Sequence, residues 1–350
     1  MTLGPVMFNI EGTALTDEDR RRLTHPQAGG LVLFSRNYQD KAQMMELCRE
    51  VHALRDPPLV ITVDHEGGRV QRFRDEFQAI PAMGQLGDFY DQDAEEAIRL
   101  AGCFAWIMAA ELRQIGVDLS FAPVLDIGDP TSSVIGDRAF HRDPEIISRL
   151  ANAWIRGMRA AGMEAVGKHF PGHGSVAGDS HHLTPFDQRD LSEIEAFDLV
   201  PFRRAITTRL AGIMMAHVVY DRVDENPAGF SRYWIETVLR DQLAFEGIVF
   251  SDDLNMAGAG SVGDYATRTR RSLAAGCDIV LICNNTNATD EVLDSLQGYS
   301  NPASQLRLAR LHGQAVPDNL LVSQPWQQAC AELDQFNQRR GQSESGDLFK

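Results

Sequence analysis

Leu59-Val60-Ile61-Thr62-Val63-Asp64-His65-Glu66-Gly67-Gly68-Arg69-Val70-Gln71-Arg72 is a short apolar run that ends abruptly in charge. Apolar residues at successive rather than alternate positions are the mark of a parallel strand buried on both faces. Seven further runs of this kind occur: Val6–Ile10, Leu31–Ser35, Leu119–Asp126, Ala165–Phe170, Ile213–His217, Ile248–Asp252 and Asp278–Cys283. Amphipathic stretches separate them. Residues 93–115 place Leu100, Phe104, Ile107, Met108, Leu112 and Ile115 on one helical stripe. Thr16 and Asp19 resemble a capping box that opens a short helix. Further helices are predicted near 40–54, 143–161, 190–208, 231–244 and 264–276, and two or three more after residue 285.

Strand–helix repetition suggests either an open doubly wound sheet or a closed barrel. An open sheet handling dinucleotides carries GxGxxG after its first strand, whereas here Asn9-Ile10-Glu11-Gly12-Thr13 follows. Eight units in roughly 280 residues fit an α/β fold of the (β/α)8 TIM-barrel type. A length of 350 residues alone would suggest two domains. Parallel barrels are the usual exception, and no Pro-, Gly- or Ser-rich linker divides this chain. The expectation is one catalytic barrel over residues 1–340 with extra C-terminal helices, and a polar, frayed tail at 341–350.

Composition narrows the function. With 43% hydrophobic and 23% charged residues, disorder, collagen and coiled coil are excluded. The 33 basic and 49 acidic side chains leave a formal charge of −16. Nucleic acid and anionic membranes would be repelled, so neither is an expected partner. Five scattered cysteines without a CxxC argue against a disulfide framework or a thiolate zinc site. The first residues carry no basic segment ahead of an apolar one, so no signal peptide is expected. No stretch reaches the length of a membrane span. These features together predict a cytoplasmic protein acting on a small molecule or on a polymer fragment that is not polyanionic; a monomer is expected.

A barrel places its chemistry at the C-terminal ends of its strands. Polar residues do gather there: Asp64 to Arg72 after the third run, Asp126 and then Gly136-Asp137-Arg138 after the fourth, and Lys168-His169 after the fifth. His217 ends the sixth and Ser251-Asp252-Asp253 the seventh. Residues 171–182 form a glycine-rich loop, and four of the ten histidines fall between 169 and 182. One reading is a mobile segment carrying an acid/base, with Asp179 orienting His181. Zinc ligation is a second, although no HExxH or His-x-His accompanies it. Plain turn capping is a third. At 251–253 a carboxylate could be a nucleophile, a helix cap or a metal ligand. Strand alternation leaves open which aspartate acts. Asp64, Glu66, Arg72, Arg138 and Lys168 could form a wall gripping sugar hydroxyls and amide carbonyls, whereas Arg69, Arg74 and Asp75 read as surface salt bridges.

Asp64-x-Glu66-Gly67-Gly68-Arg69-Val70-Gln71-Arg72, Lys168-His169-Phe170-Pro171-Gly172-His173-Gly174, Asp179-Ser180-His181 and Ser251-Asp252-Asp253-Leu254-Asn255-Met256, in that order, resemble glycoside hydrolase family 3. The single-domain bacterial β-N-acetylglucosaminidases (β-hexosaminidases) of peptidoglycan recycling are the subgroup they are most similar to. The resemblance spans about residues 5–335 and implies a retaining double displacement without metal or organic cofactor. It implies that Asp252 is the nucleophile and that His181, supported by Asp179, is the acid/base where most retaining glycosidases use a second carboxylate. Asp64, Arg72, Arg138, Lys168 and His169 are implied to bind N-acetylglucosamine. Asp64 would hold ring hydroxyls, while Arg138 and the Lys168-His169 pair would contact the hydroxyls or the acetamido side. His65 replaces a glutamine common in relatives, a change expected to be tolerated. The implied substrate is an N-acetylglucosaminyl-anhydro-muropeptide. Three rivals share the same residues: a phosphorylase, a metal-dependent hydrolase, and a sugar-binding barrel without turnover.

Overall fold

The computed structural model describes residues 2–347 apart from Ala177, His181 and Asp318, with side chains through Arg339. The apolar runs form eight barrel strands: β1 Val6–Phe8, β2 Ala28–Leu33, β3 Val60–Val63, β4 Leu119–Ser120, β5 Val166–Phe170, β6 Gly212–Met215, β7 Ile248–Asp253 and β8 Ile279–Ile282. Neighbours pair in parallel in the order β4-β3-β2-β1-β8-β7-β6-β5. Parallel bridges Ser120–Ala165 and Val124–Lys168 join β4 to β5 and close the ring. The result is a (β/α)8 barrel.

Helices follow each strand: Asp17–Leu23, Lys41–Ala53, Ala94–Gln114, Pro144–Ala160, Leu199–Thr207, Tyr233–Gln242, Tyr265–Ala275 and Thr286–Ser295. Thr16 and Asp19 form the expected reciprocal capping box. Phe121 and Phe250 meet edge-on inside the barrel, with ring centroids 5.4 Å apart. Outside it, Ala94–Gln114 crosses Pro144–Ala160 at Gly102 and Gly157, where a methyl on Gly157 would strike the Gly102 carbonyl. Pro302–Ala309 and Gln324–Asp347 complete the chain, the last helix resting on the third through Trp106–Trp326 and Phe104–Phe336 ring contacts. The tail expected at 341–350 begins within the backbone of that helix and ends outside the described residues.

Four details differ from the sequence expectation. Strand β2 starts three residues early because Gly29 and Gly30 carry no apolar signal; a methyl on Gly30 would collide with the Val60 carbonyl. Strand β4 is short because Pro123 has no N–H to donate to a continuous ladder. The helix expected over 190–208 is two, Leu191–Ala196 and Leu199–Thr207. Pro201 cannot donate to the Phe197 carbonyl but is well accommodated in a first turn. The segment Tyr233–Gln242 is wound with π-type bonds, and Leu243 N–H donates to the Val238 carbonyl.

The lower end of the barrel is also more polar than expected. Asp118 accepts from Ile61 N–H at the start of β3, from Gly313 N–H and from Arg113, while Asp278 accepts from Val249 N–H at the start of β7, Ser304, Arg240 and Arg307. These buried carboxylates tie strand starts to the C-terminal segments.

Candidate active site

The upper end of the barrel opens into a cleft of about 560 Å³. Ends of β2, β3, β7 and β8, the segment 133–138 and the loop after β5 all line it. Lys168 reaches it from β5, 2% exposed, because the strand buries its aliphatic stem and delivers the ammonium to the rim. Its Nζ lies 2.7 Å from Asp64 Oδ1 and 2.6 Å from Glu66 Oε1. Arg138 donates two bonds to Glu66, at 2.8 and 2.9 Å, and Arg72 stands 3.6 Å from Asp64. Three cations thus enclose two carboxylates in a rigid lattice. Burial works to raise the pKa of both Asp64 and Glu66, but the neighbouring cations outweigh it and hold both below the usual carboxylate range. The lattice is therefore ionised at neutral pH, with Asp64 presented as an acceptor. The Arg72 guanidinium also lies 5.7 Å from the Phe34 ring centroid.

His169 belongs to a second group. Asp126, fully buried at the end of the fourth run, accepts from His169 N–H and pairs with its Nδ1 at 2.7 Å. The same carboxylate accepts from His173 N–H at 2.7 Å. An imidazole oriented through Nδ1 turns Nε2 toward the cleft it lines.

At the end of β7 the two aspartates separate. Asp252 and Asp253 both line the cleft. Asp253 Oδ1 also accepts from Asn255 N–H and, across to β8, from Cys283 N–H. A register shift between Phe250 and Asp253 accompanies this. Asp253 is built into the strand junction, and Asp252 accepts from the adjacent Asp253 N–H at 2.8 Å.

Asp179 lines the same cleft from the loop after β5, and its carboxylate lies 3.7 Å from His182. Asp179, Asp252, Asp64, Arg72, Arg138, Lys168 and His169 therefore converge on one cavity. His181 lies outside the described residues. Arg69 forms an exposed salt bridge with Asp137 at 3.1 Å, as expected, and it also lines the cleft and holds the Val134 carbonyl at 2.5 Å, which ties down the 133–137 segment. Arg74 donates to the Gly68 carbonyl at 2.8 Å. Glu66, already part of the expected wall, and Asp126 act as the organising carboxylates. For Asp126 the apolar run it ends was the available signal, because a charge buried at a strand end must be paired.

His65 does not line the cleft. It is buried against Phe73 and Phe77, and burial, with Arg74 and Arg72 nearby, pushes it down to about 3. Between its ordinary value of 6.5 and about 3 the unfolded chain binds a proton that the folded chain refuses. Stability attributable to this site is intact above pH 6.5 and falls as pH drops through that window. His65→Gln removes the proton acceptor, so urea midpoints at pH 7 and pH 5 should differ less than in the parent. An unchanged difference would contradict the assignment.

Residues 5–311 match the glycosyl hydrolase family 3 N-terminal domain. The chain is 54% identical over 336 residues to a β-hexosaminidase of Thioalkalivibrio sulfidiphilus, covering 95% of this chain and 96% of that protein. A β-hexosaminidase of Nitrosospira multiformis is 52% identical, with 92% of each chain covered. The structure of NagZ from Neisseria gonorrhoeae in complex with N-trifluoroacetyl-D-glucosamine superposes with a TM-score of 0.91 at 43% identity, covering 96% of this chain and 98% of that one. Motifs, barrel and cleft agree with these likenesses, and the chain belongs to glycosyl hydrolase family 3.

Proposed function

We propose that the protein is a retaining exo-β-N-acetylglucosaminidase that releases terminal N-acetylglucosamine from peptidoglycan-derived anhydro-muropeptides. The observation that carries this reading is one cleft lined by a strand-end aspartate, Asp252, together with the ionised lattice of Asp64, Arg72, Arg138 and Lys168 and the oriented His169. The lattice offers donors and acceptors fixed in advance, so sugar hydroxyls and the acetamido group bind without reorganising it. Asp252 attacks C1 while His181 protonates the departing glycosidic oxygen. His181 then takes a proton from water, which attacks C1, breaks the ester and returns Asp252 as a carboxylate. Asp179 stabilises the protonated imidazole in both half-reactions. One copy of the chain supplies every group in this scheme. Five free thiols suit the reducing cytoplasm, where recycled wall fragments would be met.

His181→Ala is expected to lower kcat/KM, which reports formation of the ester, by about 10²–10⁴-fold for substrates with poor leaving groups and far less for those with good ones, since only the former need protonation. Values of kcat/KM on N,N′-diacetylchitobiose and on the 4-nitrophenyl β-glycoside of N-acetylglucosamine check this; equal losses would contradict an acid role. The overall reading is tested by incubating the protein with the nitrophenyl glycoside, with and without EDTA and phosphate. Free sugar in every arm supports it. Sugar 1-phosphate would indicate a phosphorylase, EDTA sensitivity a metal-dependent enzyme, and absence of release a binding protein.

A further inference from the structure

We infer that Ser180 and His173 are positioning residues, whose mutual hydrogen bond sets the register of the catalytic loop at Asp179 and at the residue that follows Ser180. The inference rests on the reading of Asp179 and His181 as the acid/base pair. Ser180 is only 2% exposed although Asp179 is half-buried and His182 and Leu183 are exposed. A serine this deeply buried in a glycine-rich loop needs its polar atoms paired, and its hydroxyl and carbonyl are. Its Oγ lies 3.0 Å from His173 Nε2, and its carbonyl accepts from Gly258 N–H at 2.9 Å.

Each anchor is itself fixed. Gly258 lies in the turn Ala257–Val262 that follows Asp252 and Asp253, where an added Cβ would come within 2.9 Å of His217 and leave no room for a side chain. His173 N–H donates to Asp126, the carboxylate that also orients His169. The neighbouring Gly172 carbonyl accepts from Tyr220 Oη at 2.5 Å, and the His173 ring packs edge-on against His169 with centroids 6.0 Å apart. The loop is therefore pinned between the end of the fourth run and the turn after the nucleophile strand, with Ser180 at the crossing point. Asp126 serves both a sugar-facing imidazole and the loop's anchor. Because Ser180 is one peptide unit from each member of the acid/base pair, a rotation there displaces both, while leaving the Asp64–Lys168–Glu66–Arg138 lattice untouched.

The test separates positioning from folding. Ser180→Ala removes the side-chain bond and keeps the Gly258 tie; His173→Phe keeps ring packing and removes the partner; His173→Gln retains a side-chain nitrogen able to reach Ser180. Ser180→Ala and His173→Phe are each expected to lower kcat/KM on N,N′-diacetylchitobiose by roughly 10- to 100-fold, the penalty of an ångström-scale misplacement. The loss of kcat/KM on the nitrophenyl glycoside should be at most a few-fold, and the inhibition constant for N-acetylglucosamine should stay within about twofold. The double variant should be no slower than either single one, because both remove the same bond, and His173→Gln should recover most of the rate. Equal losses on both substrates, additive single effects, or weakened sugar binding would overturn the inference. His181→Ala measured alongside distinguishes the two claims. If it lacks a leaving-group-dependent loss, the acid/base reading itself falls. If it shows that loss and Ser180→Ala does not, only the positioning role falls.

Discussion

Asp252→Ala is expected to lower kcat/KM for the nitrophenyl glycoside by about 10⁴-fold or more, with folding and sugar binding retained. Removing the nucleophile deletes the covalent path entirely, so what remains is the residual rate supplied by binding and orientation. Asp252 is half-buried at the cleft, and its bond from Asp253 N–H at 2.8 Å contributes on the order of 1 kcal/mol. Asp253→Ala offers the contrast. It strips the acceptor from Asn255 and Cys283 N–H, so it should destabilise the β7–β8 junction by about 1–3 kcal/mol. Kinetics on both variants, with calorimetric binding of N-acetylglucosamine, check the pair. More than a few per cent of parental activity in Asp252→Ala would move the nucleophile elsewhere.

The second large effect concerns Lys168. Lys168→Met retains the aliphatic stem but removes the ammonium that touches Asp64 and Glu66 at 2.7 and 2.6 Å. Glu66 is 1% exposed and keeps Arg138, while Asp64 keeps only the more distant Arg72. Breaking a buried pair by deleting one partner costs about 3–5 kcal/mol, since the other charge stays desolvated. Urea unfolding should show a loss of that order, accompanied by a higher KM because Asp64 is no longer held in place. Glu66→Gln added to Lys168→Met should recover part of the stability by removing a charge that has lost its partner. A single variant within about 1 kcal/mol of the parent would contradict the lattice as an integrated unit.

Much of this architecture is legible in the sequence because burial on both faces leaves a dense signal. Apolar runs such as Val60–Val63 and Ile248–Phe250 announce themselves, and the polar residues that interrupt them mark the mouth of the barrel. What escapes notice is set by backbone proximity or by partners distant in the chain. Gly29 and Gly30 are strand residues chosen for close approach to neighbouring backbone, which periodicity does not register. Asp126 reads as the end of an apolar run, but its task is defined by His169 and His173, more than forty residues on. Arg69 is the exposed ion pair that the sequence suggests, but its hold on the Val134 carbonyl is set by a partner sixty-five residues on. Asp118 and Asp278 look like strand boundaries and prove to be the joints of the opposite face. The choice between Asp252 and Asp253 is the sharpest case. Alternation leaves them equivalent, the family resemblance favours Asp252, and the bonds of Asp253 to Asn255 and Cys283 give that residue a separate structural occupation.

The central claim is a covalent sugar ester on Asp252. Incubating the enzyme with a fluorinated N-acetylglucosaminyl fluoride, which slows the second half-reaction, and then digesting it for peptide mass mapping tests this most directly. The account predicts one added sugar mass on the peptide containing Ser251-Asp252-Asp253, with fragmentation placing it on Asp252. A sugar mass on another residue, or steady turnover of the nitrophenyl glycoside with no adduct on any peptide, would contradict it.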